Sequence, residues 1–267
     1  MDLAETISNF STTSDLTYRF FPGNGPLLVF IHGVLDRGRS FYRMKSRLKD
    51  RAILVYDRRG YGESINLEIP YRSSIEESIS DLNSLLSELP AILIGHSYGA
   101  VIALGGAISL DNILGCVIYE PPLSWLPWWT TLNGASAGIA VDTDPHDAVD
   151  IFMSNSLGKD RWSRLNPNIK DELYSQGETL IAELTNLRQK APFDPDRILL
   201  PMVLSYGSES TQRQKRGIEY LSEHILNSRQ VEILGAKHNA HMTQYKDFAN
   251  MIESSINYIL GWHDEND

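Results

Sequence analysis

The stretch Ala91-Ile92-Leu93-Ile94-Gly95-His96-Ser97-Tyr98-Gly99 decides how the rest of the chain is read. Its four leading apolar residues fit a strand buried on both faces, and the apolar run after Tyr98 opens a helix. Between them, Gly95-His96-Ser97-Tyr98-Gly99 has the form G-x-S-x-G. In that setting a sharp strand-to-helix turn exposes the serine hydroxyl above a sheet. Small residues flank the serine because a Cβ there collides across the turn. The string alone is weak evidence; the strand before it and the helix after it give it weight.

Outward from this turn the chain alternates short β-rich runs with longer helical patterns. Leu27-Leu28-Val29-Phe30-Ile31, Ala52-Ile53-Leu54-Val55-Tyr56, Ile113–Tyr119, Met202-Val203-Leu204-Ser205-Tyr206 and Gln230-Val231-Glu232-Ile233-Leu234 read as further strands. Residues 16–21 add an N-terminal antiparallel strand. Helical periodicity covers 74–89, where Ile75, Ile79, Leu82, Leu85, Leu86 and Leu89 recur at spacings of three and four before Pro90. It also covers 98–109, 211–227 and 243–260. Strands alternating with helices imply an α/β architecture: a mostly parallel central sheet with helices on both faces. Residues 121–198 interrupt the alternation. They are too long for a crossover and too patterned for a disordered loop, with helices over 148–157 and 169–189. The expected division is a core of 1–120 and 199–267 and a helical insertion of 121–198.

Two motifs complete the pattern. Ile31-His32-Gly33-Val34 ends one buried strand, and Asp57-Arg58-Arg59-Gly60-Tyr61-Gly62-Glu63-Ser64 ends the next. With these and the Ser97 turn, the chain resembles the α/β-hydrolase superfamily, in its capped, esterase- and lipase-like branch, over about residues 20–120 and 198–261. The resemblance implies a helical cap inserted after the sixth strand and a nucleophile at Ser97. It also implies an oxyanion hole made by the backbone amides of Val34 and Tyr98. The family's catalytic imidazole falls on His238, in Leu234-Gly235-Ala236-Lys237-His238, where Lys237 replaces a usual glycine. His32 and His96 lie inside motifs and serve there as packing and hydrogen-bonding groups. His146, His224 and His263 read as surface residues. His241 is the rival to His238, and the pair lacks the H-E-x-x-H pattern or the nearby cysteine that would suggest a metal.

The acid departs from the family pattern. Relatives place an Asp three residues after the glycine that closes the later strand, and here Gly207-Ser208-Glu209-Ser210 puts a serine there. A serine cannot carry the charge that steadies an imidazolium. Two carboxylates can substitute: Glu209, one residue away, and Glu120, at the carboxyl end of the strand before the insertion. Ligand-contacting groups gather at such strand ends, and a carboxylate closing a buried apolar run is costly unless paired. These arguments favour Glu120. Asp57-Arg58-Arg59 reads as a structural brace, with Gly60 and Gly62 permitting the turns.

The insertion opens with Trp125-Leu126-Pro127-Trp128-Trp129. Trp125, Trp128 and Trp129 either roof a pocket as substrate-binding residues or glue the insertion to the core, since both uses bury the same surface. The 267 residues carry 24 Lys and Arg against 34 Asp and Glu, a net charge of −10 that excludes a general nucleic-acid or anionic-membrane binder. No apolar run approaches the roughly 18 residues of a membrane span. Residues 1–10 hold Asp2 and Glu5, no Lys or Arg, and no apolar stretch of signal-peptide length. The single cysteine, Cys116, precludes an intrachain disulfide, reads as a buried inert thiol, and points to a cytoplasmic protein. The expectation is a serine hydrolase acting on an ester-like bond of a small to medium apolar substrate, with no cofactor or metal. C–C bond hydrolysis, acyl transfer, a lyase reaction or ligand reception on the same scaffold are the alternatives.

Overall fold

The computed structural model describes residues 6–65, 74–86, 88–129 and 134–266. Outside them fall the first five residues of the N-terminal stretch, Ser87 of the helix expected over 74–89, and residues 130–133 of the insertion. An eight-stranded sheet runs in the order β2 (Tyr18–Phe21), β4 (Arg51–Tyr56), β3 (Gly23–Ile31), β5 (Ala91–His96), β6 (Ile113–Tyr119), β7 (Met202–Gly207), β8 (Ser228–Ile233). The short β1 (Thr6–Ile7) pairs with the start of β3. β1 and β2 are antiparallel to their partners, and β3 through β8 pair in parallel. The N-terminal antiparallel strand expected over 16–21 is β2.

Period-two alternation explains why the central strands are apolar throughout. Leu27, Val29 and Ile31 of β3, Leu93 of β5 and Ile118 of β6 pack on one face, against α1 (Ile75–Leu86) and α2 (Tyr98–Ser109). Leu28, Phe30, Ile92, Ile94 and Val117 pack on the other, against Phe41 and Met44 and the long C-terminal helix. Both faces are therefore covered, which accounts for the near-continuous apolar runs of these strands. Cys116 sits in the first of these layers, fully buried, and burial pushes its thiol far above the usual range.

The segment between β6 and β7 contains α3 (Pro145–Leu157), α4 (Lys159–Ser163), α5 (Pro167–Tyr174) and α6 (Gly177–Gln189). The continuous helix expected over 169–189 breaks at Ser175 and Gln176, and α4 was not foreseen. These helices share a small core of their own, Ile139, Ala148, Val149, Trp162, Leu180, Ile181 and Leu184, against which Val34 and Leu35 pack. The chain then continues through α7 (Gln212–His224), α8 (Ala240–Thr243) and α9 (Tyr245–Asn266). α7 starts with a capping box between Thr211 and Gln214. The helix expected from residue 243 starts instead at Tyr245, because α8 ends first.

The brace after β4 reaches further than its own loop. Arg58 donates to both carboxylate oxygens of Glu183 in α6, at 2.5 and 3.2 Å, and to the carbonyls of His32 and Gly33 at the end of β3, at 2.9 and 3.1 Å. The Tyr61 hydroxyl adds a bond to Glu183 at 2.7 Å. Asp57 accepts from the amides of Gly38 and Glu63, and Gly60 and Gly62 take the positive φ angles their turns require. Among the described residues no helix is long and apolar enough to cross a membrane.

Arg58 and Glu183 are both buried, so Glu183→Gln leaves a guanidinium without its counter-charge in low dielectric and is expected to destabilise by about 3–5 kcal/mol. The double substitution Arg58→Met/Glu183→Leu is expected to recover most of that loss. Urea denaturation of the wild type, Glu183→Gln and the double variant checks it; equal stability of wild type and Glu183→Gln refutes it.

Candidate active site

Ser97 stands between β5 and α2 with φ of 54°, a left-handed conformation that a non-glycine residue adopts only under constraint. The constraint is visible in its neighbours. A Cβ on Gly95 would fall 2.4 Å from the Ala100 Cα, and one on Gly99 would fall 2.1 Å from the Ile31 carbonyl oxygen. The Ser97 amide donates to the Tyr119 carbonyl at 2.9 Å, which ties the turn to β6. Tyr98 is the first residue of α2, so its amide lies at the positive end of the helix dipole. Gly33 brings the end of β3 onto the serine: a Cβ there would stand 3.0 Å from that of Ser97. Val34 follows directly.

Glu120 ends β6 and also has a left-handed backbone, φ 48°. Its side chain is fully buried, and every oxygen has a partner. Oε1 accepts from the Gly207 amide at 2.9 Å and from the Ser210 hydroxyl; Oε2 lies 2.7 Å from Nδ1 of His238. Burial pushes the carboxyl up, but the bonds and charge of His238 and the bonds from Ser210 and Gly207 outweigh it, so the group is held below its ordinary range. The amide nitrogen of Gln214 also lies 2.8 Å from His238 Nδ1. A carboxylate only accepts, so the Nδ1 proton points to Glu120, and the Gln214 nitrogen is then a polar contact rather than a donor. This tautomer leaves Nε2 of His238 with a lone pair.

The structure brings Ser97, Tyr98, Val34, Glu120 and His238 to one cavity of about 1190 Å³. Glu209 lies at its mouth, with a side chain 58% exposed and 3.8 Å from the Lys237 ammonium. His241 does not border the cavity; it is fully buried between the rings of Phe41 and Phe248. His96 donates from Nε2 to the His238 carbonyl at 2.8 Å, and His32 accepts at Nε2 from the Arg58 amide at 2.9 Å, the bonding roles expected of them. Burial, then the nearby Arg58 charge, lowers the His32 pKa to about 3. Of the three tryptophans, only Trp129 borders the cavity, with the Arg213 guanidinium 4.8 Å from its ring. Trp125 packs on Phe193, and Trp128 on Tyr220 and Trp129, and neither borders the cavity. Their rings belong to the seam between insertion and core, where burying apolar area decides their position.

Ser210 was legible only as a departure from the family pattern; that its hydroxyl donates to Glu120 was not. Gln214 was missed altogether, because its signal in the sequence is that of a capping box.

The sequence model of the alpha/beta hydrolase family matches residues 28–251. A 2-(acetamidomethylene)succinate hydrolase of Mesorhizobium japonicum is 26% identical over 200 residues, 73% of this chain and 64% of that relative. Lipase LipV of Mycobacterium tuberculosis is 28% identical over 207 residues, 73% of this chain and 71% of the lipase. Among solved structures, a thermophilic esterase from Thermogutta terrifontis superimposes with a TM-score of 0.71 at 18% identity, over 96% of this chain and 99% of that one. MenH of S. aureus gives 0.72 at 18% identity, over 91% and 98%. At such identities the superpositions speak for the fold.

Trp129→Ala is expected to change the chain-length preference on a panel of nitrophenyl esters. Trp125→Ala and Trp128→Ala are expected to lower the melting temperature by several degrees and leave that preference unchanged, since burying one aromatic ring is worth about 3 kcal/mol or more. Thermal melts run beside the ester panel distinguish the two effects.

Proposed function

The chain belongs to the alpha/beta hydrolase family, and from that premise we propose that it is a serine hydrolase cleaving an ester-like bond through an acyl-enzyme. The observation that carries this reading is the buried Glu120 carboxylate 2.7 Å from His238 Nδ1, facing the same cavity as Ser97. Ser97 Oγ attacks the carbonyl carbon while His238 Nε2 takes its proton. Glu120 holds the imidazole in the required tautomer and stabilises the imidazolium that forms. The amides of Val34 and Tyr98 receive the oxyanion. His238 then gives its proton to the leaving oxygen. A water molecule deprotonated by the same imidazole releases the acid and restores the serine.

Leu35, Phe152, Leu157, Leu165, Leu173 and Leu184 give the cavity a largely apolar wall, which supports a small to medium apolar acyl or alcohol group. On this reading residues 121–198 are the cap of a core formed by 1–120 and 199–267. We place the activity in the cytoplasm, because the lone buried Cys116 offers no disulfide framework.

Ser97→Ala is expected to lower ester turnover by on the order of 10⁴-fold or more, with the fold intact. A fluorophosphonate should label the wild type and not this variant. Near-wild-type turnover by folded Ser97→Ala would falsify the assignment, and ligand-induced closure without product release would point to a receptor.

Glu120→Gln keeps the volume and removes the charge, so turnover is expected to drop by roughly 10²–10⁴-fold. Glu209→Gln, on a carboxylate in water, is expected to cost little. Measured at one pH on one ester, the opposite ranking moves the acid to the later loop.

A further inference from the structure

Beside the Ser97 turn lies a second cluster that the hydrolase chemistry does not use. Asp36, His96 and His241 each direct one ligand atom into a common space, all within 4.8 Å of one another. Asp36 and His96 border the cavity; His241 lies behind them, fully buried. His241 Nε2 is 3.3 Å from Asp36 Oδ2. With Nε2 of His96 committed to the His238 carbonyl, its Nδ1 keeps a lone pair. Among the described residues, that nitrogen and both ring nitrogens of His241 find no hydrogen-bond partner. Buried ring nitrogens are ordinarily satisfied, and a bound ion is a group that would satisfy this pair of imidazoles beside a carboxylate.

We propose that Asp36, His96 and His241 form a binding site for a divalent transition metal of the zinc class, separate from the serine triad. Two imidazoles and one carboxylate suit zinc, cobalt or nickel rather than the all-oxygen shells of calcium or magnesium. The groups behind the ligands are in place as well. His96 donates its other ring N–H to a backbone carbonyl, the usual orientation of a metal-bound imidazole, and Asp36 Oδ2 accepts from the Ser40 hydroxyl at 3.1 Å. His32, the neighbouring imidazole, is excluded as a ligand because it donates to the Gly33 carbonyl and accepts from the Arg58 amide.

Metal bonds of about 2.0–2.1 Å bring donors to roughly 3.4 Å apart in a tetrahedral site, so the widest gap among the three side chains would close by up to about 1.4 Å. Asp36 and His96 border the cavity, so a fourth ligand would reach the metal from that side. His96 links this site to the active site twice, through the His238 carbonyl and through its peptide bond to Ser97. Neither link makes the metal site dependent on the hydrolase reading.

The test is a calorimetric titration of Zn²⁺ into chelator-treated, full-length Ser97→Ala protein, with Co²⁺ as a spectroscopic probe. The expected result is one Zn²⁺ per chain and visible absorption bands of four-coordinate Co²⁺. In the same background, Asp36→Asn and His241→Asn are expected to bind at least about 100-fold more weakly and Ser40→Ala about tenfold, since groups behind the ligands alone are worth about 10–100-fold. His238→Ala is expected to bind as the parent does. Circular dichroism verifies each fold, and Asp36→Asn, at the cavity wall, decides the matter if His241→Asn does not fold. Absence of Zn²⁺ binding by the folded parent, equal binding by Asp36→Asn, or binding lost only in His238→Ala overturns the proposal.

Discussion

A single desolvated guanidinium joins the parts of this molecule that chemistry needs in register. Arg58 leaves the end of β4, spans to the last carbonyls of β3, and meets a carboxylate on a helix 125 residues further along the chain. An ammonium could not replace it, because the planar fork satisfies three acceptors at fixed angles while remaining charged in a dry interior. Since Gly33, two residues past β3, lies against Ser97, the position of Val34 and the seating of α6 depend on the same group. The Tyr61 and Tyr98 rings, 4.6 and 4.9 Å from the guanidinium, close it off from water.

That rigidity is what permits strain at the site. The three non-glycine residues with positive φ among the described positions are Leu35, Ser97 and Glu120, and all three border the cavity. Such backbone conformations cost on the order of 1–3 kcal/mol each and persist only where packing over-determines them. Here the packing is a sheet whose central strands are buried on both faces. The result is a carboxylate and a hydroxyl held above the strand ends by backbone that does not relax. The Ser97 amide on the Tyr119 carbonyl makes the two strained turns parts of one arrangement.

The sheet was readable because its signal is local: continuous apolar runs such as Leu27 to Ile31 report burial on both faces without any long-range information. Ser97 and His238 were readable because glycines around them report turns. What could not be read depends on contacts across the chain. Nothing near Glu183 marks it as the partner of Arg58, since a charged residue in an amphipathic helix ordinarily faces water. Trp125, Trp128 and Trp129 are adjacent in sequence, yet a short 3₁₀ turn at Pro127–Trp129 splays them, and one of them alone reaches the cavity. His241 looked like a competitor for His238 because spacing along a chain does not tell which way a side chain turns after a loop.

The placement of the acid has a consequence for modular exchange. On the division proposed above, Glu120 closes the core and Pro121, itself buried, opens the inserted segment. A recombinant that swaps this insertion for another must therefore place its upstream junction after Pro121, preserving the left-handed turn at Glu120. The downstream junction precedes β7, whereas the Gly207 amide and the Ser210 hydroxyl that hold the carboxylate lie at and beyond its far end, so that junction is freer.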